Sequence, residues 1–561
     1  MGEKSYLKEQ VYLPGLNSYD LFTDAEYDEY MKIVEAKNEL NRMESLEIKD
    51  ENERRKLVAQ KKEAQATLAK LIAQHAGKPR TVRLKNLIYY PKDADYEFPA
   101  GVNWENMKFN RKIAEFSCEL TRAMGLKHMD YTFDHIVLSW KSLDILEQIV
   151  INGFYIPLLH RDGTVENRHY RFYTSSAGQL RRDKIQAISD VMWEKIKTRI
   201  ECGLNWKEIN KRGGVNVNKL MAYTALPGSA TTEWTDFDID RCVVANDFEG
   251  EVTDLMMYIK PDYTHSEEIC TVKINHTDGC GMILPSEAEN NFIFRMSYCK
   301  GLMCVFDFMK FCEEKGVEPV ITDPWGQKHN LKDERINMIF FVSMTKMWKY
   351  YDSWDAYKAA FKRCGCKAGI GNVEEEDIDN ASTNYQFIDS LESFTDAEVK
   401  AFTKNEHDKI MNISKNKNTM LRTLKADKES DNPYKAALAY YPEFLWDSYT
   451  RTQLKDIRKR MLLDAKSGKI KNLNKRLYAV PDLYAVCEWL FCGIEKPEGL
   501  LKAGEVAAKT FIKYDKADLL RSPSLYMEHA IRTIVHDPEV YRWFTTNGVY
   551  ASTHDLVGGQ V

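Results

Sequence analysis

The sequence lacks the cysteine spacing of a structural zinc site. Its 12 cysteines include no Cys-x-x-Cys pair, and neither Cys364 with Cys366 nor Cys487 with Cys492 matches a known metal-binding template. A site of the zinc-finger or zinc-ribbon type is therefore not predicted. Unpaired cysteines scattered through a chain of this length are typical of reduced thiols in a reducing compartment.

Long apolar runs are also missing. The first ten residues are charged and contain no apolar core of signal-peptide length, and no later run reaches the length that spans a bilayer. The sequence therefore predicts a cytoplasmic protein with no membrane partner.

There is no overall excess of positive charge. The formal net charge is −5 over 561 residues, which argues against a uniformly basic surface for binding nucleic acid. Any contact with a phosphate backbone must come from local patches. The length itself predicts about two to four domains with a large core.

What is present begins with a charge-rich segment from Asp24 to His75 in which apolar residues recur at helical spacing. The polar stretch from Asp50 to Glu53 marks a junction between two long helices, and Gly77 and Pro79 end the second. Residues 1–80 are thus predicted to contain a helical hairpin whose lysines and arginines form a solvated face.

Residues 81–226 show a mixed pattern, with a strand over residues 83–90 and helices around residues 111–124 and 143–151. From His160 to Lys184, arginines alternate with aromatic residues. Such mixing suits nucleic acid, because phosphates bind arginine and bases stack on rings. The alternation alone favours a β-hairpin with polar and aromatic faces, and both interpretations stay open.

The stretch from Lys273 to Phe308 is predicted as strand, glycine turn and strand, with Phe292 to Met296 alternating between apolar and polar residues. Lys300 is unusual there because apolar residues surround it. A lysine in such a setting needs an anionic partner, such as a phosphate, or a path to solvent at the strand end.

Three carboxylates follow one another at alternate positions: Asp236, Asp238 and Asp240. In an extended strand they would share one face, as a site for a hard cation requires. The alternative is an exposed acidic strand end.

Lys346 follows a continuous apolar run from Ile336 to Val342. The run predicts a strand that places Lys346 at its end, while the residues after it also fit the start of an amphipathic helix through Trp348, Tyr351 and Trp354.

The strongest basic patch runs from Arg451 to Arg476, a segment with ten lysines and arginines but only two acidic residues, Asp456 and Asp464. Within it, Arg458, Lys459 and Arg460 are consecutive. This patch is the best candidate for a track along a phosphate backbone.

The order of several short motifs resembles the cell-encoded RNA-dependent RNA polymerases of gene silencing and their bacterial and phage relatives. The resemblance extends from about Asp238 to the C-terminus. It rests on Thr277-Asp278-Gly279-x-Gly281, Arg295, Lys300-Gly301, Asp238-Ile239-Asp240-Arg241, Asp247-Phe248, Ser343-x-x-Lys346, Val480-Pro481-Asp482-Leu483-Tyr484 and Arg521-Ser522-Pro523-Ser524.

The resemblance implies a double-psi β-barrel polymerase core with helical insertions. Together with the N-terminal helical hairpin, which periodicity indicates, this predicts an α+β fold. The predicted division is 1–80 for the hairpin, 81–226 for an α+β region, 227–360 for the first barrel, 361–476 for a helical region with the basic patch, and 477–561 for an incomplete second barrel.

The resemblance also implies an RNA polymerase that transfers nucleotides to an RNA 3′-hydroxyl, with template and nucleoside triphosphates as partners. Lys300 and Lys346 would face the phosphates. Nucleic acid would contact Arg295 and Arg521 of the shared motifs. It would also contact Arg458, Lys459 and Arg460, which the basic patch indicates.

The family holds Mg²⁺ with an Asp-x-Asp-Gly-Asp motif, which this sequence does not contain. The Asp236 cluster has Ile239 in place of the glycine and precedes Lys300, so the metal ligands are unassigned. We therefore expect an incomplete polymerase that needs a missing C-terminal fragment. The alternatives are an inactive nucleic-acid-binding protein and a metal-dependent phosphohydrolase.

Overall fold

The computed structural model describes residues 9–45, 50–83, 112–159, 165–376, 378, 380–383, 385–389, 393–430, 432–520 and 529–557. The predicted strand over residues 83–90 lies almost wholly outside these ranges, as do Arg161 and the segment 521–528. Within the described residues, no helix combines the length and the apolar character needed to cross a membrane.

The two long N-terminal helices are confirmed as α1 (Asp24–Ser45) and α2 (Glu51–Gln74), which pack against each other. Asp50 caps α2 because its carboxylate accepts hydrogen bonds from the backbone N–H groups of Asn52 and Glu53, at 3.1 and 3.0 Å. The apolar stripe of α2 is buried as its spacing predicts, at Leu57, Ala64, Leu68 and Ile72.

The N-terminal sheet contains seven strands. They are β1 (Gln10–Asn17), β2 (Arg80–Thr81), β3 (Lys112–Phe116), β4 (His135–Ser139), β5 (Phe154–Leu159), β6 (Val165–Thr174) and β7 (Lys184–Ser189). Their order in the sheet is β2-β5-β6-β7-β4-β1-β3. Because β1 precedes the hairpin and β2 follows it, the hairpin is an insertion between two strands of one sheet.

Four helices accompany this sheet: α3 (Glu119–Ala123), α4 (Leu143–Asn152), α5 (Ala177–Leu180) and α6 (Asp190–Ile200). The helix predicted over residues 143–151 is confirmed. The one predicted over residues 111–124 is wrong for its first half, because residues 112–116 pair with β1 as an antiparallel strand. Tertiary pairing overrides local helical spacing there.

The described part of the basic and aromatic run, residues 165–184, contains β6 and the start of β7, which pair antiparallel. Two of its arginines bind carboxylates of the same region. Arg168 forms ion pairs with Glu166 and Asp134, and Arg171 forms one with Asp190. These pairs favour the hairpin interpretation over a nucleic-acid surface.

The middle of the chain contributes the next eleven strands and four helices. The strands are β8 (Thr232–Glu233), β9 (Cys242–Ala245), β10 (Glu249–Ile259), β11 (His265–Asn275), β12 (Cys280–Ile283), β13 (Phe292–Met296), β14 (Cys299–Val305), β15 (Val320–Thr322), β16 (Lys328–Asn330), β17 (Met338–Phe341) and β18 (Gly369–Val373). The helices are α7 (Trp206–Lys211), α8 (Val217–Thr224), α9 (Phe308–Lys315) and α10 (Trp354–Arg363).

Seven of these strands form the central sheet, in the order β8-β18-β13-β14-β12-β17-β9. Its pairings are both parallel and antiparallel. Among the described strands no pairing joins β8 to β9, so the sheet is not seen to close into the barrel that the resemblance implies. The sheet recruits β18 from beyond residue 360, because residues 369–373 pair with β13 and β8.

The central sheet is buried on both faces, and alternate residues of its strands enter different cores. Val244 and Phe340 pack in the core that α10 covers, where Trp354 is also buried. Val243 and Ile339 pack in the opposite core. Full burial of a side chain such as Phe340 contributes roughly 1.5–3 kcal/mol, so two-sided burial fixes the register of these strands.

The last part of the chain contributes helices α11 (Tyr385–Asp389), α12 (Asp396–Asn412), α13 (Lys417–Leu424), α14 (Pro433–Tyr440), α15 (Ser448–Lys466), α16 (Leu483–Cys492) and α17 (Pro538–Trp543). A five-stranded sheet follows, with β19 (Ala479–Pro481), β20 (Glu505–Ala508), β21 (Lys516–Leu520), β22 (His529–Ile534) and β23 (Val549–Ala551). The chain is thus a mixed α and β protein with several sheets.

Candidate phosphate-binding site

Two of the predicted site residues lie directly opposite each other in the central sheet. Strands β13 and β14 pair antiparallel, and Arg295 is the register partner of Lys300. Only Ser297 and Tyr298 connect the two strands, so the hairpin is tight and its side-chain pairs are fixed. The two cations are therefore neighbours because of strand pairing and not through flexible chain.

Lys346 joins these two residues through backbone hydrogen bonds. The N–H of Lys346 donates to the carbonyl of Tyr298 at 2.8 Å, and the N–H of Lys300 donates to the carbonyl of Met344 at 3.1 Å. The Lys346 ammonium also donates to the carbonyl of Ser343. No helix begins at Lys346, because residues 348–350 form only a 3-10 turn and α10 starts at Trp354.

We call Arg295, Lys300 and Lys346 the cationic cluster. Burial lowers the pKa of Lys300, and the charges of Arg295 and Lys346 lower it further, while Asp278 opposes the shift. Burial also lowers the pKa of Arg295, whose Nε lies buried without a hydrogen-bond partner. Like charges held together in this way favour an anion with several negative oxygens.

In the described part of the chain, no carboxylate lies within ion-pair distance of these three cations. Three other arginines, in contrast, have carboxylate partners. Arg80, Arg168 and Arg199 each bind a carboxylate, at 2.7, 2.8 and 2.6 Å respectively. The cationic cluster is therefore available for an external anion such as a phosphate chain.

Gly301 permits the close packing beside Lys300. A Cβ on Gly301 would lie 2.4 Å from the carbonyl oxygen of Gly279 and 2.7 Å from two side-chain atoms of Met344. The N–H of Leu302 donates to that same carbonyl at 2.9 Å. The order Lys300-Gly301 thus places a lysine at the point where the turn at Gly279 contacts strand β14.

Replacing Gly301 with alanine is expected to lower the stability of the fold by about 1–3 kcal/mol, because the added methyl group must displace a backbone carbonyl. The measurement is the midpoint of urea-induced unfolding. Gly228→Ala is the matched control, since a Cβ there meets nothing within 4 Å. Equal midpoints for the Gly301→Ala variant and the parent would contradict the close packing.

Asp247 holds the loops that carry this site, and its role could not be read from residue spacing. Its carboxylate accepts a hydrogen bond of 2.8 Å from the Ser343 hydroxyl and a further bond from the Ser343 N–H. The Ser343 hydroxyl oxygen accepts one from the N–H of Gly279 at 2.8 Å. Burial raises the pKa of Asp247, although the two hydrogen bonds from Ser343 oppose the shift. Asp247 therefore connects the glycine turn to the loop that bears Lys346.

The three aspartates proposed for a hard cation do not form a site in the structure. The extended strand assumed for them is wrong, because residues 239–241 form a 3-10 turn. Asp238 caps that turn, Asp240 pairs with Lys362, and all three carboxylates are exposed. Within the described residues no group of three or more His, Cys, Asp or Glu could hold a metal ion.

The basic patch after residue 451 lies mostly on α15. Lys459 and Arg460 are exposed, whereas Arg458 is half-buried and its Nε donates to the carbonyl of Ile410 at 3.2 Å. Arg458 thus joins α15 to the end of α12. Arg521 lies outside the described residues.

Comparison with known proteins gives one informative similarity. No protein-family model matches the chain. The chain is 35% identical over 562 residues to a protein named DNA-directed RNA polymerase YonO, from Bacillus phage SPbeta. The alignment covers 99% of this chain and 63% of that relative. The chain therefore spans less than two thirds of the relative's length.

Proposed function

We propose that this chain acts in template-directed RNA synthesis, transferring nucleotides from nucleoside triphosphates to an RNA 3′-hydroxyl. The observation that carries the proposal is the cationic cluster, in which Arg295, Lys300 and Lys346 converge without a carboxylate partner among the described residues. The similarity to a protein named as an RNA polymerase supports it. That name also makes DNA our first choice of template, with RNA as the alternative.

In the proposed reaction the cationic cluster holds the triphosphate. Negative charge grows on the leaving pyrophosphate as the bond to the α-phosphate breaks, and preorganised cations stabilise that charge. The partly buried setting strengthens this effect, because little water competes for the phosphate oxygens. Asp247 would act only through Ser343 and the loops, as a positioning residue.

Polymerases of the family that this chain resembles use Mg²⁺. Among the described residues, no group of carboxylates is arranged to bind that ion. The carboxylates of Asp236, Asp238 and Asp240 are exposed. Asp238 caps a 3-10 turn, and Asp240 pairs with Lys362. We therefore assign no metal ligand in this chain and propose that the ligands come from sequence outside it. In the same scheme, we assign the central sheet to the first double-psi barrel of that family and extend the boundary beyond residue 360 to include β18.

Primer extension tests the proposal directly. Labelled nucleotides are supplied with matched DNA and RNA templates, using this chain alone and the chain together with any sequence encoded beside it. We expect template-dependent extension only when the added sequence supplies carboxylates. Bound but unextended nucleic acid under all conditions would instead identify a binding protein without catalysis, and released phosphate would identify a phosphohydrolase.

Neutralising Lys459 and Arg460 together, as Lys459→Gln with Arg460→Gln, is expected to weaken nucleic-acid binding and to reduce its salt slope by about one unit for each phosphate that is no longer bound. Binding is measured by fluorescence anisotropy at several salt concentrations. The matched control is Lys56→Gln with Lys62→Gln on α2, which removes the same charge from two exposed positions. Parallel salt dependence for the α15 variant and the parent would show that these two cations face solvent and do not contact phosphates.

A further inference from the structure

We propose that five exposed aromatic residues at the junction of α14 and α15 form a stacking surface for single-stranded nucleic acid. This aromatic patch comprises Tyr440, Tyr441, Phe444, Trp446 and Tyr449. Each exposes between 48% and 63% of its surface. The inference goes beyond the proposed polymerase reaction, because it concerns how a strand is held and requires no nucleotide chemistry.

The patch is exposed because the inward positions of this connection are already filled. Leu438 and Leu445 are buried in the core of the helical region, and Thr450 accepts a hydrogen bond of 2.8 Å from the hydroxyl of Tyr434. The intervening rings must then point away from that core. Their exposure is a consequence of the packing and not of a loose chain.

The backbone that carries the rings is held rigidly. The N–H of Tyr441 donates to the carbonyl of Ala437 at 2.7 Å, and the N–H of Phe444 donates to the carbonyl of Tyr441 at 3.1 Å. Asp447 caps α15 by accepting from the N–H of Tyr449 at 2.9 Å. A preorganised surface loses little conformational entropy when a ligand stacks on it.

Cations lie against the same rings. The guanidinium of Arg451 lies 5.7 Å from the centroid of the Trp446 ring, and the ammonium of Lys428 lies 5.4 Å from that of Tyr440. Farther along α15 follow the exposed cations Lys455, Lys459 and Arg460, with Asp456 as the acidic residue among them. Rings for bases therefore adjoin cations for phosphates.

This combination fits a single strand better than a duplex or a protein. Bases in a duplex are stacked on each other, whereas those of a single strand are free to stack on aromatic side chains while basic groups follow the backbone. Aromatic residues also occur in protein interfaces, but lysine is depleted there. The run of cations on α15 favours a polyanion.

The test measures affinity for labelled oligonucleotides by anisotropy, without nucleotides or metal ions. We expect Trp446→Ala with Tyr449→Ala to weaken binding of single-stranded DNA and RNA by roughly five-fold or more for each base that no longer stacks on a ring. Duplex binding and the salt slope should stay unchanged, because no phosphate-binding group is removed. Trp446→Phe should retain most of the affinity. The two oligonucleotides show which type of strand binds more tightly.

Tyr263→Ala is the matched control, since Tyr263 is 90% exposed and lies in the turn between β10 and β11, outside the aromatic patch and α15. Unchanged affinity of a folded Trp446→Ala, Tyr449→Ala variant for single strands would overturn the proposal and leave the aromatic patch as a surface for a protein. An equal loss for duplex and single strand would also overturn it. Should the double variant fail to fold, cross-linking of bromouracil oligonucleotides to the parent decides: no adduct within residues 440–449 overturns the proposal.

Discussion

Replacing Lys300 with alanine is expected to lower RNA synthesis by roughly 100- to 1,000-fold, the usual effect of removing one preorganised group that stabilises transition-state charge. Template binding should remain nearly unchanged, because Lys300 lies in the cationic cluster of the central sheet and not in the basic patch on α15. The same reasoning predicts a similar loss for Lys346→Ala. Single-turnover extension and template anisotropy measure the two effects separately, in a preparation that extends primers.

Lys349→Ala is the matched control for both substitutions. Lys349 is exposed and lies only three residues from Lys346, but its ammonium packs over the ring of Tyr350 and outside the cationic cluster. Full activity is expected for it. Unchanged turnover by folded Lys300→Ala and Lys346→Ala variants would refute the assignment of the cationic cluster to the triphosphate.

Replacing Arg80 with alanine is expected to destabilise the N-terminal part of the protein by about 3–5 kcal/mol, because the buried carboxylate of Glu26 loses its guanidinium partner and keeps only the Thr23 N–H and the more distant imidazole of His75. Arg80 binds both oxygens of Glu26, at 2.7 and 2.9 Å, and also donates to Gln148 at 2.8 Å. Although burial opposes the shift, the hydrogen bonds from Arg80 and from the N–H of Thr23 hold the pKa of Glu26 below its ordinary value. The unfolding midpoint in urea, followed by circular dichroism, measures the loss.

The double variant Arg80→Gln with Glu26→Gln should lose less stability than Arg80→Ala, since no unpaired charge remains. Arg42→Ala serves as the control, because Arg42 pairs with Glu39 on the exposed face of the same hairpin, and its midpoint should match that of the parent. A midpoint for Arg80→Ala equal to that of the parent would show that the buried pair does not hold the hairpin to the sheet.

The sequence predicted the structure best where a feature depends only on the spacing of residues within one helix or strand. The stripe of α2 and the alternation of β13 from Phe292 to Met296 are both confirmed, because each depends on residues within one element. The same logic failed over residues 112–116. Their spacing suggested a helix, but pairing with β1, about one hundred residues earlier in the chain, makes them a strand.

The sequence by itself determined the two long helices, the central strands and the presence of a lysine among apolar neighbours. Only the tertiary structure decided which charges meet. Arg295, Lys300 and Lys346 come together through strand register and two backbone hydrogen bonds, while Arg168 and Arg171 are paired with carboxylates. Likewise, spacing alone allows the rings between Tyr440 and Tyr449 to be core residues. In the structure Leu438 and Leu445 fill the core of the helical region, and the rings are exposed. Spacing along a chain fixes which side chains share a face, but packing between distant segments fixes what that face touches.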